Sequence, residues 1–207
     1  MKNLTRITPV LMLALSACSD VEKDPTEDGH DHHDHEVMTA VVLTFTSTTD
    51  DSELEFTWSD AESSANPTID DIVLQDAHDY TLSLSFLNEL EDPIEDVTPE
   101  IADEDDEHQV FFTGSAVDGP ATESNADAVI EHAYADEDVN GLPIGLDNDI
   151  ITLQPESGEL TVTLRHMPLE SGNSIKTDDA AGDVASGGFS AIGGDNDVQV
   201  TFSLTVE

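Results

Sequence analysis

The chain has one cysteine in 207 residues, Cys18, so no disulfide can form within it. Bases are almost as scarce: five Lys and Arg stand against 47 Asp and Glu, for a formal net charge of −42. That balance excludes nucleic acid as a partner, because affinity for it comes from Lys and Arg set on phosphates. It also excludes adsorption to an anionic membrane surface. It favours cations, which a field of one sign concentrates. A solvated acidic surface of this kind suits a saline habitat as well, where the Debye length falls to about 3 Å at 1 M salt and self-repulsion is screened. No apolar run approaches the roughly 20 residues that a membrane-spanning helix needs. The chain has no G-x-S-x-G, no H-E-x-x-H and no phosphate loop. Carboxylate pairs carry no information in a chain this acidic, so no catalytic residue is assigned and an enzyme is not expected.

What is present begins with an address. Lys2 and Arg6 precede a mostly apolar stretch, 7–14, and Leu15-Ser16-Ala17-Cys18 follows. Basic start, apolar stretch and small residues make the layout of a secretory signal peptide. LSAC reads as a bacterial lipobox. The expectation is a signal over 1–17 and a diacylated Cys18 as the mature N-terminus; the alternative is a free thiol at the end of a cleaved signal. Each acyl CH₂ buried in a bilayer contributes about 0.8 kcal/mol, so several chains anchor stably. Ser19 is compatible with an outer-membrane destination. Loss of Lys2 and Arg6 takes the charge from −42 to −44 and leaves Lys23, Arg165 and Lys176 as the bases.

Residues 18–36 are an acidic tether, expected to be disordered for want of apolar residues. It ends in GHDHHDHE, where His30, His32, His33 and His35 alternate with Asp31, Asp34 and Glu36. Neutral imidazole suits Zn²⁺, Cu²⁺ and Ni²⁺, and carboxylates add charge. The tract is either a loose, exchangeable Zn²⁺ ligand or a polar spacer.

From Val37 onward the pattern is alternation of period two. Val41-Leu43-Phe45, Leu54-Phe56-Trp58, Tyr80-Leu82-Leu84-Phe86, Leu160-Val162-Leu164 and Val198-Val200-Phe202-Leu204-Val206 each face one way, with polar residues between. Shorter runs at 69–74, 108–115, 128–135 and 150–153 fill the gaps, and turn clusters such as QPESGE and SGGFSAIGGDND separate them. No amphipathic helix stands out. Half-buried strands without crossover helices must cover one another, which predicts an all-β fold over 37–207: an antiparallel β-sandwich, immunoglobulin-like or Greek-key, of seven to nine strands. Residues 91–107, EDPIEDVTPEIADEDDE, read as a mobile acidic loop.

Two further features bear on ligands. Asp136, Asp138, Asn140 and Asp147, with Gly141, copy the spacing of a twelve-residue Ca²⁺ loop. Asp at the last position and Pro143 inside the loop depart from it. The other reading is a turn that uses Asp, Asn and Gly for Asx contacts and positive φ. Of the remaining histidines, His132 and His166 share parity with apolar residues and read as core or rim. His108 follows DEDDE and pairs naturally with Glu107, and His78 lies at a strand start. Whether any of the four converge is not readable from spacing.

The segments AVVLTFT (40–46), FTWSDA (56–61), NPTIDDIVL (66–74), EHQVFF (107–112), ADEDVNGLPIGL (135–146), LTVTLRHMP (160–168) and DVQVTFSLTV (197–206) span nearly all of 37–207 in order. In these the chain resembles a family of small lipoproteins of Bacteroidetes and other marine bacteria, sometimes labelled type 1 periplasmic binding fold superfamily. The resemblance implies an outer-membrane or periplasmic lipoprotein, encoded near TonB-dependent receptors, with no catalytic residues to carry over. Its label suggests an α/β fold, which the alternation contradicts. The expectation is an outer-membrane lipoprotein that binds divalent metal, Zn²⁺ foremost and Ca²⁺ second, and feeds a TonB-dependent uptake system. The alternative is a structural or adhesive surface module with no small ligand.

Overall fold

A computed structural model describes residues 37–61 and 66–207. The expected signal, Cys18 and the tract of His30, His32, His33 and His35 lie outside the described residues.

Alternation becomes strand wherever one face can be buried. β1 (Ala40–Ser47) and β5 (Asp79–Asn88) are the centre of the larger sheet. They pair antiparallel, Val41 opposite Phe86, Leu43 opposite Leu84 and Phe45 opposite Leu82, so their apolar sets share one face. β2 (Glu53–Ser59) and β3 (Thr68–Ile69) continue the sheet beyond β1. On the other side come β10 (Asp147–Thr152), β9 (Ile130–Tyr134) and β8 (Val117–Asp118), and β6 (Glu95–Asp96) adds to the end of β5. The smaller sheet runs β4 (Ile72–Leu74), β12 (Asp195–Val206), β11 (Ser157–His166), β7 (His108–Thr113).

The inward faces of both sheets form one apolar cluster. Phe45, Leu82 and Phe86 come from the larger sheet; Phe112, Val162 and Phe202 come from the smaller. Each such side chain, fully buried, contributes on the order of 2 kcal/mol. The fold is all-β, as the alternation predicts, and eight of the strands have five residues or more.

Three local expectations need correction. First, 69–74 is not one strand. β3 ends at Ile69 on the larger sheet, Asp70 and Asp71 turn the chain, and β4 crosses to the smaller sheet. There it pairs parallel with β12, and β8 pairs parallel with β9, so the sheets are not wholly antiparallel. Second, 91–107 contains structure. Pro99 opens a short helix, α1 (Thr98–Asp103), and Val97 and Ile101 are buried against the core, which ties down a segment whose other residues are mostly polar.

Third, a helix lies between β11 and β12, where the alternation gives no element. α2 (Ala180–Gly187) and the 3-10 turn Phe189–Ala191 cover the outer face of β7. Ala180, Ala181 and Val184 pack on Phe111, and Phe189 meets the Phe111 ring edge-on at 5.4 Å. Small residues give little apolar contrast, so the helix leaves no periodic signal.

Candidate functional site

At one end of the smaller sheet, four chain segments meet. β7 begins with His108 and β11 ends with His166, and antiparallel register sets the two opposite each other. Their rings stack, centroids 4.7 Å apart and planes 13° from parallel. β12 starts beside them, Asp195 opposite His166, after a register shift between Leu164 and Arg165. α1 leads into the turn 104–107, which lays Glu104 and Glu107 against the pair.

The stretch 167–176 fastens this turn. The Met167 and Leu169 amides donate to the Glu107 carbonyl (2.6 Å) and to Glu107 Oε2 (2.9 Å). Ser174 Oγ donates to the Asp106 carbonyl at 2.8 Å, and Lys176 Nζ to the Asp105 carbonyl at 2.9 Å. Lys176 also meets Asp138 Oδ2 at 3.0 Å. These bonds tie the acidic turn to the stretch 167–176.

His108 is only 3 % exposed and His166 is 18 % exposed. His108 Nδ1 lies 3.2 Å from the Glu104 carbonyl oxygen. A carbonyl only accepts, so Nδ1 carries the proton and Nε2 keeps a lone pair. That Nε2 faces Asp197 Oδ2 at 3.8 Å, and His166 Nε2 faces Glu107 Oε2 at 3.7 Å. Burial pushes the His108 pKa down to about 4, and the His166 charge pushes the same way. The imidazole is therefore neutral near pH 7. Glu104, His108 and His166 each offer one ligand atom, and those atoms lie within 4.8 Å of one another. Two imidazoles and a carboxylate are a donor set that Zn²⁺ accepts.

The other two domain histidines do not join them. His132 Nε2 hydrogen-bonds Asn148 Oδ1 at 2.9 Å, and its ring packs on Phe112 at 4.3 Å. His78 Nε2 accepts from Ser47 Oγ at 2.7 Å or donates to it, according to tautomer, and holds the turn after β1. Each has a partner in its own surroundings, although the buried His132 Nδ1 has none among the described residues.

The Asp136 and Asp138 carboxylates of the possible Ca²⁺ loop are engaged within the chain. Asp136 accepts the amides of Gly145 (2.7 Å), Leu146 (2.8 Å) and Asp147 (3.0 Å). Asp138 Oδ1 accepts those of Asn140 and Leu142, while Oδ2 faces Lys176. Burial alone would raise the Asp138 pKa, but the Leu142 amide, Lys176 and the Asn140 amide hold it below its usual value. Gly141 supplies the turn with φ of +79°. Asp147 belongs to β10, where burial and Asp136 raise its pKa. The spacing D-x-D-x-N-G here builds an Asx turn.

Sequence reasoning paired His108 with Glu107 but missed His166 as its neighbour and Glu104 as a ligand. The missing information was register: nothing in EHQVFF or LTVTLRHMP says that the second residue of one run stands opposite the seventh of the other. Comparison with known protein families, with curated proteins and with solved structures finds no match.

Proposed function

We propose that this is a lipid-anchored cell-envelope protein that gathers divalent cations, Zn²⁺ foremost, and presents them to a TonB-dependent outer-membrane uptake system. The observation that carries this reading is where the bases go. Of the 47 acids, eight precede Val37, leaving 39 in the domain against two bases, Arg165 and Lys176. Both are buried and spent internally. Arg165 donates through Nε to the Gly193 carbonyl at 2.9 Å and through Nη1 to Asn196 Oδ1 at 2.8 Å, with its guanidinium 5.9 Å from the Phe189 ring centroid. Lys176 is held by Asp138 and the Asp105 carbonyl.

The outer surface of the described residues therefore presents acids with no exposed base among them. Such a surface raises the local concentration of cations whatever the site that finally binds them. The lipobox at Cys18 supports an anchor, and His30, His32, His33 and His35 support capture close to it.

Calorimetric titration of the mature protein with Zn²⁺ tests the reading, repeated with the four tract histidines changed to Ala. Binding that weakens in the variant supports capture by the tether. No heat in either protein overturns cation gathering. Cys18→Ser should move the protein from the membrane fraction to the soluble one; unchanged fractionation removes the anchor.

A further inference from the structure

We infer a second, selective metal site in the folded domain, formed by Glu104, His108 and His166 and flanked by Glu107 and Asp197, for a borderline divalent ion of the Zn²⁺ or Co²⁺ class. It goes beyond the tether and stands whether or not the tether binds.

Spacing is the first argument. His108 Nε2 to Asp197 Oδ2 is 3.8 Å and His166 Nε2 to Glu107 Oε2 is 3.7 Å. Both are too long for hydrogen bonds, which end near 3.2 Å. Ligands 2.0–2.1 Å from one tetrahedral ion stand about 3.4 Å apart. These nitrogen–oxygen pairs lie a few tenths of an ångström beyond the separation of groups that share a cation. The Glu104, His108 and His166 atoms, within 4.8 Å of each other, need to contract by up to about 1.4 Å to reach it. His166 and the turn at Glu104 are only half-buried, which leaves them room to do so.

Ring orientation is the second. Metal-binding histidines commonly donate their other N–H to a carbonyl or carboxylate, which fixes the tautomer and raises the basicity of the ligating nitrogen. His108 has that arrangement through Nδ1 and the Glu104 carbonyl. The two rings stack 4.7 Å apart, which places both imidazoles at one spot on the sheet's end.

Charge is the third. The two nearby cations are both engaged, Lys176 with Asp138 at 3.0 Å and Arg165 with the Gly193 carbonyl and Asn196 Oδ1 while also acting on Asp195 and Asp197. Glu104 and Glu107 bring two more carboxylates to the rings. Imidazole donors favour Zn²⁺ and Co²⁺ over Ca²⁺ and Mg²⁺, which prefer oxygen ligands.

The test uses the mature chain with His30, His32, His33 and His35 changed to Ala, so that only the domain can respond. Titration with Co²⁺, followed by visible absorption, should saturate at one ion per chain, and Zn²⁺ should bleach the bands while millimolar Ca²⁺ does not. His166→Gln should weaken binding by at least about 100-fold, since loss of outer partners alone costs 10–100-fold. Glu104→Gln should weaken it less, and circular dichroism checks that both variants fold. Absence of a one-ion site in the tract variant overturns the inference. So does unchanged Co²⁺ affinity in both His166→Gln and Glu104→Gln. If the parent protein binds Zn²⁺ while the tract variant binds none, this site falls and the tether reading survives.

Discussion

Lys176 and Asp138 meet at 3.0 Å with both side chains withdrawn from solvent, and the contact joins three loops that are far apart in sequence. Lys176 reaches the Asp105 carbonyl from the stretch after β11, and Asp138 closes the turn between β9 and β10. Burial pushes the Lys176 pKa down, and Asp138 partly restores it. Removing one partner strands the other charge, at a cost of about 3–5 kcal/mol. Lys176→Met should lower urea stability by that order. A Lys176→Met/Asp138→Asn double variant should recover part of it, because an amide oxygen still accepts from Asn140 and Leu142 and no buried charge remains. A double variant no more stable than Lys176→Met alone would show that the pair is not the source of the loss.

Acid should destabilise the domain earlier than carboxylate titration would. His108 and His132 are buried, and burial brings both from 6.5 to about 4. The folded pKa is the lower one, so the unfolded chain takes up the proton first. Stability is therefore fullest above pH 6.5, falls as pH drops from 6.5 toward 4, and levels off below that. At 1.36 kcal/mol per unit, each histidine contributes about 3 kcal/mol of this slope. Asp138 acts separately: its lowered pKa gives stability above 3.8 that is lost only in stronger acid. His132→Gln should flatten the melting-temperature curve between pH 6.5 and 4. A curve as steep as the parent's would assign the slope elsewhere.

Calcium should not stabilise the protein. Asp136 spends its carboxylate on three amides, and Asp138 is divided between two amides and Lys176. A bound ion would have to break these contacts. Thermal melting with millimolar Ca²⁺ should show no specific shift beyond that of equal ionic strength, since a ligand of the native state must raise stability by mass action. Asp136→Ala, by contrast, should cost on the order of 2–3 kcal/mol, the size of a charge-assisted hydrogen bond lost with its donors left wanting.

The strands were legible because period-two alternation is a direct image of a one-sided sheet. Tyr80, Leu82, Leu84 and Phe86 point inward where their parity puts them. The crossing at Asp70-Asp71 was not legible, because the apolar residues at 69, 72 and 74 carry no mark of which sheet they join. The α2 segment failed for the opposite reason: Ala180, Ala181 and Val184 are buried, yet glycines around them read as turn. The turn at Asp138 was half legible, since Asp-x-Asn-Gly serves an ion or an Asx turn equally, and only Lys176, 38 positions later, decides between them. For the His108–His166 pair, residue types were visible and register was not.

Register at that end of the sheet depends on one glycine. Gly194 sits just before β12 with φ of +79°, and a Cβ there would overlap the carbonyl oxygen of His166 and press on the Met167 Cα. Gly172 has a similar φ, +77°, but nothing lies near the space its Cβ would fill. The two sites separate backbone strain from steric overlap. Gly172→Ala should cost about 1 kcal/mol, the left-handed penalty alone. Gly194→Ala adds an overlap with backbone that cannot rotate away, so β12 or the end of β11 must shift, and the cost should exceed that of Gly172→Ala by about 2 kcal/mol or more. Urea unfolding of both variants measures the difference. Equal losses would mean that the β11–β12 junction yields freely. Because the atom displaced belongs to His166, Gly194→Ala should also disturb the stack on His108, which shifts in the imidazole proton resonances would report, whereas Gly172→Ala should leave them in place.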